Sequence, residues 1–371
     1  MVPRKIISGV GSVEHLGAEA AALGTHALLV TTHALRKVGI AQRAVELLRS
    51  AGLQVTQYSE VLSDPTVGQA DEARDLARSR GCNLVVGLGG GSALDVGKAA
   101  AGMMHHHASV AVVQRGEEQG RPGVPFIAVP TTAGTGSEIT RNAVLTDPDR
   151  EVKESARSEH WIAAVAIVDP ALLVSLPASL TAACGMDAFT HATESFFSIG
   201  ATPVTEALAL RSVQLLAAAL PFAYANGKDL DARSDCAIGS LTAALAFANS
   251  GLGAVHGLAH PIGVLHNVSH GEACSIMLPH VLRFNQEALP HKLDELGAAI
   301  GITARPAGGH VADTVARMSR DIGLPQRLRD VGVREADLAR IAADTVGASS
   351  LKYNPRKASR EDLLAILREA L

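Results

Sequence analysis

Asp187, His191, His256 and His270 have the residue types and spacing to do chemistry. Asp187 and His191 stand four apart within Gly185-Met186-Asp187-Ala188-Phe189-Thr190-His191-Ala192. On a helix such a pair projects from one face, with Cβ atoms about 5–6 Å apart. His256 and His270 bracket a second His-rich stretch, His256-Gly257-Leu258-Ala259-His260-Pro261 through Ser269-His270-Gly271. One carboxylate and three imidazoles make a hard-to-borderline donor set that suits Fe(II) or Zn(II). A structural zinc site ordinarily uses cysteine, and this set contains none, so the pattern predicts an open, catalytic metal.

The elements that must position these residues change character along the chain. In the first half, short apolar runs alternate with amphipathic stretches. Ala27–Thr31, Leu53–Tyr58, Leu84–Leu88, Phe126–Val129 and Ala164–Val168 read as strands, and 42–50 and 66–80 as helices. Short apolar strands separated by helices predict a parallel sheet covered on both faces. From about Ser179, long Ala/Leu-rich stretches at helical spacing take over, over 205–225, 230–249 and 271–285. Prolines between Asp169 and Pro177 punctuate the change. The expectation is an α/β domain over residues 1–177 and an all-helical domain over 178–371.

Composition narrows the function classes. The 371 residues are 47% hydrophobic and 19% charged, with a net charge of −4 and no long run of one sign. That argues against a nucleic-acid groove or a membrane-surface helix as the main business. The run Met1-Val2-Pro3-Arg4-Lys5-Ile6 lacks the pattern of a signal peptide, which predicts a cytoplasmic protein. Cys82, Cys184, Cys236 and Cys274 are widely spaced in apolar context and read as reduced, buried packing residues. His105-His106-His107 reads as a surface turn.

Two loops carry a second signal. The strand ending at Leu88 runs into Gly89-Gly90-Gly91-Ser92 and then a helix through Ala93-Leu94-Asp95-Val96-Gly97-Lys98. Glycines at a strand-to-helix junction let backbone N–H groups approach a phosphate, and the helix dipole adds to the attraction. A simple tight turn explains three glycines equally well. The second loop, Val129-Pro130-Thr131-Thr132-Ala133-Gly134-Thr135-Gly136-Ser137-Glu138, also follows a strand. Two polar loops at strand carboxyl ends point to a dinucleotide. Ser137 also suits a helix cap, and Glu138 a structural acid.

Together these blocks resemble the iron-containing (group III) alcohol dehydrogenase family. The resemblance starts at Ser8-Gly9-Val10-Gly11-Ser12 and runs through the Gly89–Lys98, Pro130–Glu138, Gly185–Glu194 and His256–Pro261 blocks to His270-Gly271 and Asn354-Pro355-Arg356. It implies the dehydroquinate synthase-like fold, an N-terminal dinucleotide-binding α/β domain and a C-terminal all-α metal-binding domain, with the active site in the cleft between them. It assigns Asp187, His191, His256 and His270 to a divalent metal, Fe(II) before Zn(II). It assigns Gly89, Gly90, Gly91, Ser92, Asp95, Thr131, Thr132, Thr135 and Lys153 to NAD or NADP. It puts Asn142, Phe247 and Leu252 at the substrate pocket and suggests a homodimer.

One departure stands out. Many relatives read Val-Thr-Asp after the second strand, the acid binding the adenosine ribose, where this chain has Val30-Thr31-Thr32-His33. A carboxylate there repels a 2′-phosphate and Thr32 does not, so NADPH is expected to be tolerated.

The implied reaction is hydride transfer between nicotinamide and a small alcohol or aldehyde whose oxygen meets the metal. His260, four residues after His256, is a candidate proton relay or a packing histidine. His266 and His280 read as structural. The alternatives are a glycerol dehydrogenase or maleylacetate reductase of the same architecture. A dehydroquinate synthase-like lyase is disfavoured by the scarcity of Lys and Arg near the histidines. Neither nucleic acid nor membrane is expected as a partner.

Overall fold

The protein was analysed as a computed structural model, described over residues 2–118, 121–150, 152–304 and 306–371. Contacts divide it into two compact units. One takes in the chain up to Thr132 together with Gly136–Val174, and the other joins Ala133–Thr135 to Ser175–Leu371.

The first unit is built on strands β1 Lys5–Ser8, β2 His26–Val30, β3 Gln54–Tyr58, β4 Leu84–Gly89, β5 Phe126–Pro130, β6 Asn142–Asp147, β7 Val152–Arg157 and β8 Val165–Val168. Among the described residues, six of them form a parallel sheet in the order β1-β8-β5-β4-β2-β3. Leu28, Leu29, Leu84, Val85, Val86, Ile127 and Ala128 are fully buried, as an apolar strand covered on both faces requires. The helices of this unit are α1 Leu16–Ala21, α2 His33–Lys37, α3 Ile40–Ser50, α4 Val67–Ser79, α5 Gly91–Gly102 and α6 Val110–Gln114, with α3 and α4 packed on β3 and α5 on β2, β4 and β5. A Cβ on Gly97 of α5 would lie 3.4 Å from the Gly87 Cα of β4 and 3.1 Å from the Phe126 ring, so glycine lets α5 lie close on the sheet.

β6 and β7 form an antiparallel hairpin that the sequence reading missed. Its signal is the alternation of buried and half-buried positions along Asn142–Asp147 before the Asp147-Pro148-Asp149 turn. In the His105–His107 turn the outer two histidines are exposed as expected, but His106 is buried and accepts a hydrogen bond from the Arg121 N–H at Nε2.

The second unit is helical. It comprises α7 Ala178–Phe197, α8 Pro203–Ala225, α9 Leu230–Ser250, α10 Ala254–His266, α11 His270–Asn285, α12 Pro290–Ala299, α13 Gly308–Asp321, α14 Glu335–Val346 and α15 Arg360–Ala370. By length and composition α8 is apolar enough to cross a membrane; here it packs on α7 and α9. α7 is buried through its last four turns, which explains why its polar residues must find partners within the protein.

Candidate metal centre and cofactor loops

α7 carries Asp187, His191 and Glu194 at helical spacing, and all three are buried. Two close approaches bring other helices to them. A Cβ on Gly271, in the first turn of α11, would lie 2.1 Å from the Ala183 carbonyl oxygen. Only glycine lets α11 start against the α7 backbone, and that seats His270 beside Asp187. Gly253 precedes α10, and a Cβ there would lie 2.8 Å from Glu194 Oε1.

Asp187 Oδ1 is the centre of the cluster. It lies 3.6 Å from His270 Nε2, 3.7 Å from His256 Nε2 and 3.9 Å from His191 Nδ1. Among the described residues, neither Asp187 Oδ1 nor His191 Nδ1 finds a hydrogen-bond partner, although both are buried. Orphaned buried acceptors of this kind carry a desolvation penalty that a bound cation removes. The His191 ring stacks between His256, at 4.4 Å, and Phe247, at 4.3 Å. Imidazoles, a carboxylate and unpartnered atoms aimed at one point fit a divalent cation.

Glu194 orders this arrangement. Its carboxylate accepts the N–H groups of Gly253 (2.9 Å) and Val255 (2.6 Å) at the start of α10 and lies 2.6 Å from His256 Nδ1. An ionised carboxylate only accepts, so Nδ1 carries the proton and Nε2 turns its lone pair toward Asp187. Asn354 completes the cap. Its Oδ1 accepts the Ala254 N–H, and its amide exchanges hydrogen bonds with Asn285. Sequence reasoning quoted Glu194 and Asn354 within motifs but gave them no part; the i, i+7 relation of Asp187 and Glu194 was the available signal.

Electrostatics follow from burial and crowding. Burial works against ionising Asp187, but the charges of His191, His270 and His256 outweigh it and hold the carboxyl below its usual range. Burial pushes His191 down to about 4 and lowers His270 as well. His256 is opposed by burial too, yet Cys274, Asp187 and Glu194 raise it. Crowded imidazoles cannot all be charged, and neutral imidazoles are what a metal needs.

Cys274 is a free, buried thiol as expected, and it also stands beside the histidines. Its Sγ stands 3.6 Å from His270 Nε2, and its i, i+4 spacing from His270 was the overlooked signal. Cys184 lies against Gly134 instead, where a Cβ on the glycine would come within 2.9 Å. His260 projects from α10 with its ring 5.2 Å from that of His270, and it is exposed. His266 and His280 face Asp337 and Glu369. Phe247 belongs to this cluster through His191, and Leu252 sits in the α9–α10 break, half-buried.

The first unit gathers the loops. Gly89 has a φ of +157°, and a Cβ there would lie 2.6 Å from Ala93 Cβ, so the strand can turn into α5 only with glycine. Thr131 donates its N–H to the Gly89 carbonyl, which ties the two loops together, and Gly90 lies against Thr132. The N-cap of α5 is Gly90, which has no side chain to cap the helix. Ser92 Oγ donates to the Ser63 carbonyl. Lys153 Nζ lies 2.8 Å from Asp64, which also accepts from Thr146. Thr135 is exposed and clusters with the second unit.

One expectation needs correction here. The Asp95 carboxylate is buried and taken up by the scaffold: it accepts from Ser137 Oγ and the Val144 N–H and lies 3.7 Å from Lys98 Nζ. It thus holds the second loop and the hairpin on α5 rather than facing outward. Asn142 belongs to the first unit, and its carbonyl accepts from Lys98 Nζ at 2.6 Å. Lys98 also donates to Ser137 and Thr140, and burial pushes it down while pushing Asp95 up.

Known proteins share this layout. Residues 3–170 match the family described as iron-containing alcohol dehydrogenase, and residues 181–371 match its C-terminal domain, the Fe-containing alcohol dehydrogenase family, C-terminal. The 1,3-propanediol dehydrogenase of Klebsiella pneumoniae is 37% identical over 378 residues, covering 100% of this chain and 98% of that one. The NAD-dependent methanol dehydrogenase of Bacillus methanolicus is 35% identical, with 100% and 99% covered. The solved alcohol dehydrogenase from Oenococcus oeni superposes with a TM-score of 0.96 at 31% identity, covering 100% and 99% of the two chains. With both its units matched and its full length covered, the chain belongs to the iron-containing (group III) alcohol dehydrogenase family, and it is an alcohol and aldehyde oxidoreductase.

Proposed function

We propose that this enzyme interconverts a small primary alcohol and its aldehyde, using NAD or NADP bound by residues 1–177 and a divalent metal held by residues 178–371. Asp187, His191, His256 and His270 hold the metal, and these four donors by themselves take Fe(II) first and Zn(II) second. The observation that carries this reading is Asp187 Oδ1, which lies buried among the three imidazoles and has no hydrogen-bond partner among the described residues. When bound, the cation supplies Lewis acidity toward the substrate oxygen, and the nicotinamide supplies or takes the hydride.

The chain's own residues do the rest. Glu194 keeps the His256 proton on Nδ1, so Nε2 stays available to the metal. Asp187 contributes the negative charge that offsets the cation. Phe247, stacked on His191, and Leu252 give the substrate an apolar wall, and such walls discriminate by only about 1–3 kcal/mol per methylene, so several alcohols are accepted. His260, exposed beside His270, passes the proton released on alcohol oxidation to solvent. Gly89, Gly90, Gly91, Ser92, Thr131, Thr132, Thr135 and Lys153 bind the dinucleotide, its phosphates at the start of α5. The enzyme works as a cytoplasmic homodimer.

The test is a preparation purified without added metal, analysed for bound metal, then assayed for NADH- and NADPH-linked turnover over a panel of small aldehydes. One equivalent of metal with turnover of several aldehydes is expected. Metal bound without any NAD(P)H-linked turnover would overturn the reading.

A further inference from the structure

Cys274 follows His270 by four residues on α11, so the two side chains leave one face of the helix. Its Sγ lies 3.6 Å from His270 Nε2 and 4.0 Å from His256 Nε2. Asp187 Oδ1 lies 3.6 and 3.7 Å from the same two nitrogens. Sulfur and carboxylate therefore face one pair of imidazoles. Among the described residues, Asp187, His256, His270 and Cys274 each offer a ligand atom within 4.8 Å of all the others. With bonds of about 2.3 Å to sulfur and about 2.0 Å to nitrogen, a tetrahedral ion sets sulfur and nitrogen about 3.5 Å apart, close to the spacing seen here. The thiol is fully buried, and the carboxylate oxygen opposite it is one of the orphaned atoms of the cluster.

Resting on the metal-site reading above, we propose that Cys274 is a further donor to this centre, a sulfur ligand that biases it toward Zn(II) over Fe(II). On ligation the S–H bond breaks, its proton leaves to solvent and the electron pair stays on sulfur as the donor; nothing is oxidised or reduced. Thiolate donors select zinc among the first-row cations that imidazole and carboxylate accept. The side chain is thus a determinant of which metal the enzyme carries.

Cobalt reports sulfur ligation directly. The full-length protein is stripped with a chelator and titrated anaerobically with Co(II), alongside Cys274→Ser and Cys274→Ala. One Co(II) per chain should give visible ligand-field bands in all three proteins, with an intense near-ultraviolet sulfur-to-cobalt charge-transfer band in the wild type alone. In competition, the preference for Zn(II) over Fe(II) should fall at least about tenfold in both variants, the scale on which even the hydrogen-bonding partners of ligands act. Ligand-field bands without the charge-transfer band in the wild type overturn the sulfur assignment and leave the Asp/His centre standing. A wild type that binds no Co(II) overturns both. Because the wild-type spectrum decides between these, a variant that fails to fold does not obscure the answer.

Discussion

The Glu194 carboxylate lies 2.6 Å from His256 Nδ1 while it accepts the N–H groups of Gly253 and Val255. One side chain therefore caps α10 and orients the histidine in that helix's first turn. A carboxylate at a helix N-terminus is favoured by the dipole, so both tasks pull in the same direction.

Replacing Glu194 separates them. Glu194→Gln keeps the size and one acceptor but removes the charge that fixes the His256 tautomer. Metal affinity should fall about 10–100-fold, the usual effect of losing a ligand's hydrogen-bonding partner, while the circular dichroism spectrum stays that of the wild type. Competition against a chromophoric chelator measures it, and an unchanged affinity would show that His256 needs no such support.

Gly271 makes the second prediction. Gly271→Ala puts a methyl where the Ala183 carbonyl oxygen is 2.1 Å away, so α11 must move off α7. Overpacking of this kind costs about 1–3 kcal/mol. The displaced helix carries His270 and Cys274, so metal retention should drop together with thermal stability. A variant with a lower melting temperature and full metal content would show that the centre tolerates the shift.

How much of this was legible in the sequence depends on the range over which each contact acts. The closeness of Asp187 to His191 follows from spacing on one helix. The strands Leu28–Val30 and Leu84–Leu88 stand out because both faces are buried. Glu194 was not legible in its role, because a glutamate on an apolar helix does not announce which distant backbone it will cap. Asp95 misled for the converse reason: its place after the glycine loop suggested the cofactor, but Ser137, Val144 and Lys98 claim its carboxylate. The β6–β7 hairpin escaped because Val152-Lys153-Glu154-Ser155 is too polar to read as a strand, and its pairing with Asn142–Asp147 supplies what its composition does not.

Glu138 sets a pH dependence. It is 4% exposed, and burial pushes it up from 4.5 to about 7. The folded protein then holds this proton more tightly than the unfolded chain does. Its contribution is fully present below about pH 4.5 and is lost as pH rises through about 7, at most about 3 kcal/mol. Glu138→Gln removes the titration. The stability difference between variant and wild type, from urea unfolding, should shift in favour of the variant between pH 5 and pH 8. A difference that stays flat across this range contradicts the buried, proton-holding carboxyl.

Thr32 yields a prediction about the cofactor. Its hydroxyl caps α2 by accepting the Leu35 N–H, and it brings no negative charge to the end of β2. NADPH and NADH should therefore differ in kcat/KM by less than about tenfold, which is about 1.4 kcal/mol. Thr32→Asp keeps an N-capping acceptor and adds the charge that repels a 2′-phosphate, so NADPH should lose at least about tenfold while NADH gains or holds. Steady-state kinetics with both cofactors decide it; a wild type nearly inert with NADPH would place the discrimination elsewhere.

His260 offers the sharpest separation of roles at the metal centre. It stands next to His270 but is exposed, whereas Asp187, His191 and His256 are buried. If it relays a proton between the reacting oxygen and water, its loss should spare the metal and touch only proton movement. His260→Ala should keep a full equivalent of metal, lower kcat for alcohol oxidation about 10²-fold or more and remove an ionisation from the pH profile. His270→Ala, by contrast, should lose metal and activity together, because it removes one of the ligands itself. Added imidazole that restores His260→Ala but not His270→Ala would fix the assignment. An unaltered pH profile in His260→Ala would leave that histidine a packing neighbour and move the proton path to another exit.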